Sequence, residues 1–93
     1  MDPVEPGSIP RRPGHLAWQE VAGEAVVLDT QGRVLRGLNA TGARAWDLVD
    51  DSRTIADIAA TLAAEWRREP AEVLRDVVAF FAALRDRGLV ELR

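Results

Sequence analysis

The spacing of apolar residues in this chain changes period once, between Leu38 and Thr41. Before that point apolar residues recur at strand spacing, and after it they recur at the i, i+3, i+4 intervals of a helix. A single switch of this kind places the sheet first and the helices second, which is an α+β order rather than an alternating α/β one. The corner lies in the stretch Gly32 to Trp46, reading Gly-Arg-Val-Leu-Arg-Gly-Leu-Asn-Ala-Thr-Gly-Ala-Arg-Ala-Trp. Asn39 and Thr41 both have side-chain oxygens able to accept from the free amides of a helix start, and either suits the cap position.

Three short strands are expected before the corner, at Leu16 to Val21, Ala25 to Asp29 and Arg33 to Leu38. In the third, Val34 and Leu38 alternate imperfectly against Leu35 and Gly37. Ala22-Gly23-Glu24 and Thr30-Gln31-Gly32 supply the turns, each with a glycine that takes positive φ at little cost. Connections this short imply antiparallel neighbours in sequence order. Both outer strands then have open edges, and the third strand is one of them.

Three helical segments are expected after the corner. Thr41 to Val49 groups Ala45, Trp46 and Val49. The second follows Thr54, which stands three residues before Asp57 in the manner of a capping box, and runs to Trp66 with Ile55, Ile58, Ala59 and Leu62 on one face and Trp66 a candidate for its end. Glu69-Pro70 opens the third helix, Gly88 closes it, and Leu89 to Leu92 continues as an extended tail. On the third helix, at about 100° per residue, Phe80, Val73, Leu84, Val77, Phe81, Leu74 and Val78 span an arc of roughly 160°, wider than the roughly 100° stripe that one core contact requires. Either this helix is covered on both sides, or a groove lies beside Val73, Phe80 and Leu84.

A chain of 93 residues makes one domain with a modest core. Residues 1–15, with four of the five prolines, read as a flexible or weakly tethered arm, and 16–93 as the folded domain. Arg11 and Arg12 in that arm are expected to be solvated. No apolar run is long enough for a bilayer span and no signal-peptide layout is present, so a cytoplasmic protein without membrane association is expected. The absence of cysteine excludes disulfides, thiolate nucleophiles and Cys-ligated metal sites. His15, alone beside Pro13 and Gly14, reads as a solvated edge residue rather than a ligand. All 12 basic residues are arginine, which excludes lysine Schiff-base chemistry. A net charge of -3 argues against general attraction to phosphate backbones. No metal or cofactor is expected.

This order of elements suggests a winged helix-turn-helix-like domain, an architecture that leaves function open. A further lead comes from Leu38-Asn39-Ala40-Thr41-Gly42-Ala43 with Trp46 and Leu48, then Thr54 with Ile58, Ala59 and Leu62, then Asp76-Val77 with Phe80, Leu84 and Gly88-Leu89-Val90. In these blocks, from about Leu16 to the end, the chain resembles the coenzyme PQQ synthesis protein D family, the peptide-binding modules also called RiPP recognition elements. The resemblance implies a stand-alone, non-catalytic module that captures the leader segment of a ribosomally made precursor peptide. It would present that segment to a modifying enzyme, such as a radical SAM protein, a leader peptidase or a cyclase. The leader would add as a strand against Arg33, Val34, Leu35, Arg36, Gly37 and Leu38, with side chains entering a groove formed with Val73, Asp76, Val77, Phe80 and Leu84. Where family members often have aromatic residues before Leu-Asn, this chain has Val34, Leu35 and Arg36.

Plainer roles stand beside these. Val34 and Leu38 can face the core, Arg33 and Arg36 can guard an edge strand from wrong pairing, and Asp76 can pair with Arg75, Arg87 or solvent. A DNA-binding winged helix is the alternative function, but Glu72, Asp76 and Asp86 interrupt Arg75, Arg85 and Arg87 on the helix that would read bases. Nucleic acid is therefore not the expected partner. Asp50-Asp51 resembles a catalytic acid pair only superficially, since adjacent residues in a polar turn point apart. The open edge would also permit a strand-exchanged dimer in place of a monomer.

Overall fold

A computed structural model describes residues 3–29 and 31–93, without the side chain of Leu35. Met1 and Asp2 of the arm and Thr30 of the second turn lie outside the described residues. The elements are β1 (Pro10–Arg11), β2 (Ala17–Val21), β3 (Glu24–Leu28), β4 (Val34–Leu38), α1 (Ala40–Asp47), α2 (Ile55–Trp66), α3 (Pro70–Asp86) and β5 (Glu91–Leu92). The antiparallel sheet β2-β3-β4 precedes the three helices, as the change of period requires. The chain is α+β. Among the described residues no helix is long and apolar enough to cross a membrane.

Val21 pairs with Glu24 across a two-residue turn in which Ala22 (φ 54°) and Gly23 (φ 81°) both have positive φ, the pattern of a type I′ hairpin. Pairing continues from β3 to β4 until a bulge, where Val27 opposes Arg36 but Leu28 opposes Val34. The extra residue on β4 shifts the phase, so Val34 and Leu38 do not share a face as their spacing suggested. Directly paired residues lie on the same face, which puts Trp18, Val27 and Arg36 in one row and Glu20, Ala25 and Leu38 in the next. On that face Ala25, Val27 and Leu38 are buried within the hydrophobic core. Val34 is on the opposite face and is 65% exposed.

The helices begin and end as their capping residues dictate. Asn39 caps α1, its Oδ1 accepting from the Gly42 amide at 2.9 Å, while the Thr41 hydroxyl donates to the same oxygen. Thr54 and Asp57 form a reciprocal capping box on α2. Beyond α3, Leu89 donates its amide to Leu84 and Gly88 to Arg85, with Gly88 at φ 73°, which is a Schellman ending. Trp46, Ile55, Ile58, Leu62, Val73, Phe81 and Leu84 fill the centre of the core. Each such side chain contributes roughly 1.5 to 3 kcal/mol through removal of apolar surface from water.

The proline-rich arm differs from its expectation. Residues 3–15 lie against the domain: β1 pairs antiparallel with β5, and Ile9 and Arg93 exchange backbone hydrogen bonds at 3.0 and 3.1 Å. The carbonyls of Ser8 and Pro6 accept from the amides of Ile55 and Ala56, two of the otherwise unpaired donors at the start of α2. Arg12 is not merely solvated. It donates to the carbonyls of Val49 at 2.8 Å and Trp46 at 3.4 Å, and its guanidinium lies 4.0 Å from the Trp18 ring centre. Burial pulls its pKa down from the ordinary value, opposed by the nearby carboxylates of Asp47, Asp51 and Asp50. His15 is exposed.

Candidate functional site

Among the described residues the outward edge of β4 has no strand beside it. Which of its amides face outward follows from the ladder. Asp29 donates its amide to Arg33 across the hairpin, so the alternate residues Val27 and Ala25 also turn their backbone groups toward β4. Their partners Arg36 and Leu38 point back to β3, and Gly37 between them presents its N–H and C=O to the free edge. Gly37 is exposed, and nothing lies within 4 Å of where a Cβ would stand. An extended chain can therefore approach there closely and exchange backbone hydrogen bonds.

Directly after β4 a cavity of about 250 Å³ opens among the helices, lined by Asn39, Thr41, Gly42, Ala45, Leu62, Trp66, Arg68, Asp76, Val77 and Phe80. The N-terminal turn of α1, the C-terminal end of α2 and the middle of α3 form its walls. Gly42 fits this arrangement closely, because a Cβ there would stand 3.1 Å from Phe80 Cε1 and 3.4 Å from Asn39 Oδ1, so that the Phe80 ring would have to give by a few tenths of an ångström. Phe80 is half-buried and meets Phe81 edge-on, with ring centres 5.2 Å apart. The cavity thus has an apolar floor and a polar rim.

Of the residues expected to form the groove, Asp76, Val77 and Phe80 line this cavity. Val73 and Leu84 do not, being 1% and 0% exposed and enclosed in the core. The wide apolar arc is explained accordingly: its centre is core, and Phe80 on one flank and Leu74 and Val78 on the other are only partly covered. Asp76 pairs with Arg68, at 3.3 Å, rather than with Arg75 or Arg87. Trp66, Arg68 and Gly42 were not expected at the site. Gly42 carried a signal, since a glycine in the first turn of a helix weakens it unless close packing requires the space. Trp66 and Arg68 depend on how α2 crosses α3, which local spacing does not reveal.

The charged residues of β4 and its approach also separate. Arg33 is clasped by Asp29, Nε to Oδ2 at 2.8 Å, and the Arg33 amide, with the Arg33 side chain and the Gln31 amide, holds the Asp29 carboxyl below its ordinary range. Arg36 is half-buried on the helix-facing side, and its buried Nε has no acceptor. The side chain of Leu35 lies outside the described residues.

The alternative chemistries find no support in these positions. Asp50 accepts from the amides of Ser52 and Arg53 and so organises a turn, while Asp51 lies 3.9 Å from Arg11. On α3, Asp76 pairs with Arg68 and Arg85 lies against Asp86, which leaves a flank of mixed charge and not a phosphate-binding stripe.

Among curated proteins none matches the chain. It is similar to the solved structure of TbiB1 in complex with the TbiA(beta) leader peptide, with a TM-score of 0.77 and 27% identity over 87% of this chain and 94% of that chain. The family model of coenzyme PQQ synthesis protein D matches residues 24–90. That span starts at the first residue of β3 and includes the β4 edge and every residue lining the cavity, and the chain belongs to the coenzyme PQQ synthesis protein D (PqqD) family.

Proposed function

We propose that this protein binds the leader segment of a ribosomally synthesised precursor peptide and presents it to a modifying enzyme. The leader adds as a strand along β4, its backbone pairing with Gly37, while alternate side chains turn toward the cavity of Trp66, Val77 and Phe80. The observation that carries this reading is an unpaired strand edge running directly into an apolar cavity, which is what β-augmentation needs for affinity and for selectivity respectively. The similarity to TbiB1, solved with a leader peptide, is in keeping with it. The protein itself supplies binding and no chemical step, and the modifying enzyme acts on the peptide it holds.

The direct test is Gly37→Pro. Proline removes the outward amide while leaving the bonds between β3 and β4 in place, a position where an edge strand tolerates it. Affinity for a synthetic leader peptide that the wild-type chain binds should fall at least about fivefold, the value of one lost hydrogen bond. Circular dichroism and melting temperature should be retained. Unchanged affinity in a folded variant would reject strand addition at β4.

A further inference from the structure

The charges around the open edge are nearly all satisfied within the chain. Arg33 is held by Asp29, Asp76 by Arg68, and Arg44 forks onto Glu65 while also meeting Asp47. Arg36 is different. Among the described residues no carboxylate or carbonyl reaches it, and its Nε is buried without an acceptor. Its neighbours on the same face are Val27, directly across the ladder, and Leu38, two residues along, both buried and apolar. A guanidinium on such ground is poorly hydrated along its stem and retains unmet donors, so a carboxylate brought to it gains a charge-assisted bond of the stronger kind.

Its position on the ladder specifies where such a carboxylate would come from. Gly37 bonds outward, so an added strand would meet Arg36 and Leu38 in the non-hydrogen-bonded pairs, where facing side chains are closest. The residues opposite Arg36 and opposite Leu38 are two apart on the incoming chain and project to the same face. The cavity begins at Asn39, immediately after Leu38.

We infer that Arg36 selects the leader by charge: the bound segment carries an aspartate or glutamate that pairs with Arg36, two positions from a large apolar residue that enters the cavity of Trp66, Val77 and Phe80. This inference rests on strand addition at β4 and adds a recognition rule to it.

A random peptide library displayed on phage, selected on the full chain and on its Arg36→Glu and Arg36→Gln variants, tests the rule. The wild-type protein should enrich peptides with an acidic residue two positions from an aromatic or large aliphatic one. Arg36→Glu should enrich lysine or arginine at that position, and Arg36→Gln should show no charge preference. Replacing the acid by its amide in an enriched peptide should weaken binding to the wild-type protein about tenfold, and this measurement does not depend on whether a variant folds. Binding that is lost in Gly37→Pro but shows no acidic preference would overturn the role of Arg36 and leave strand addition standing. No enrichment of any peptide by the folded wild-type chain would overturn both.

Discussion

Gly42 is where helix formation and ligand space compete. Alanine at this position would favour α1 by up to about 1 kcal/mol in intrinsic propensity. Its methyl group, however, would stand 3.1 Å from Phe80 and require the ring to shift by a few tenths of an ångström. Since Phe80 is only half-buried, it can move, and the open direction is into the cavity. Gly42→Ala should therefore leave thermal stability within about 1 kcal/mol of wild type and lower peptide affinity several-fold. Paired calorimetric and binding measurements distinguish this from a simple loss of folding. The Leu-Asn-Ala-Thr-Gly run combines a strand end, a helix cap and a cavity wall in five residues, which accounts for much of its value as a signature.

At the scale of elements, local chemistry was legible and pairing geometry was not. The α2 capping box and the glycine ending of α3 rest on residues adjacent in sequence and were legible there, while the α1 cap stayed open between Asn39 and Thr41 until the structure placed it at Asn39, and Glu24, grouped with the first turn, pairs with Val21. The β4 bulge arises only when two strands are laid together, so the spacing of Val34 and Leu38 suggested one face where the fold has two. Val73 and Leu84 were grouped with Phe80 because helical angle does not say which part of an apolar arc is covered.

Ala22, at φ 54° beside Gly23, occupies a left-handed position that asparagine adopts more readily. Ala22→Asn should raise stability by about 0.5 kcal/mol, seen as a higher melting temperature, without altering peptide binding. The second hairpin is held by Asp29, which accepts from the amides of Arg33 and Gln31 and from the Arg33 side chain. Its folded-state pKa is depressed, so the stabilisation is present above the unfolded-state value of about 3.9 and is lost as pH falls through the lower folded-state value. Glu65, held by Arg44, and Asp50, held by the Arg53 and Ser52 amides, shift in the same direction. Melting temperature should decline only under acid conditions, below about pH 4, and Asp29→Asn should flatten part of that decline.

For the whole molecule, the unexpected feature is that the chain's two ends support the middle. Carbonyls of the arm complete the start of α2, β1 and β5 join the two ends, and Arg12 ties the arm to the end of α1. These contacts are non-local and mostly made by backbone, so a proline-rich segment with no periodicity gave no sign of them. Arg12→Ala should cost roughly 1.5 to 3 kcal/mol, the range for hydrogen bonds made by a charged group. It should also change tryptophan fluorescence by uncovering Trp18, while a peptide bound at β4 retains its affinity in the folded fraction. At this scale the central claim is that a peptide becomes the next strand of the sheet. Amide hydrogen exchange followed by NMR, with and without a synthetic leader peptide that the chain binds, tests it most directly. Slowed exchange at Gly37, with shift changes concentrated on Val34–Leu38 and on the cavity residues of α1, α2 and α3, is the predicted result. Unchanged exchange at Gly37 with perturbation of Ala17–Val21, on the opposite edge, would contradict it.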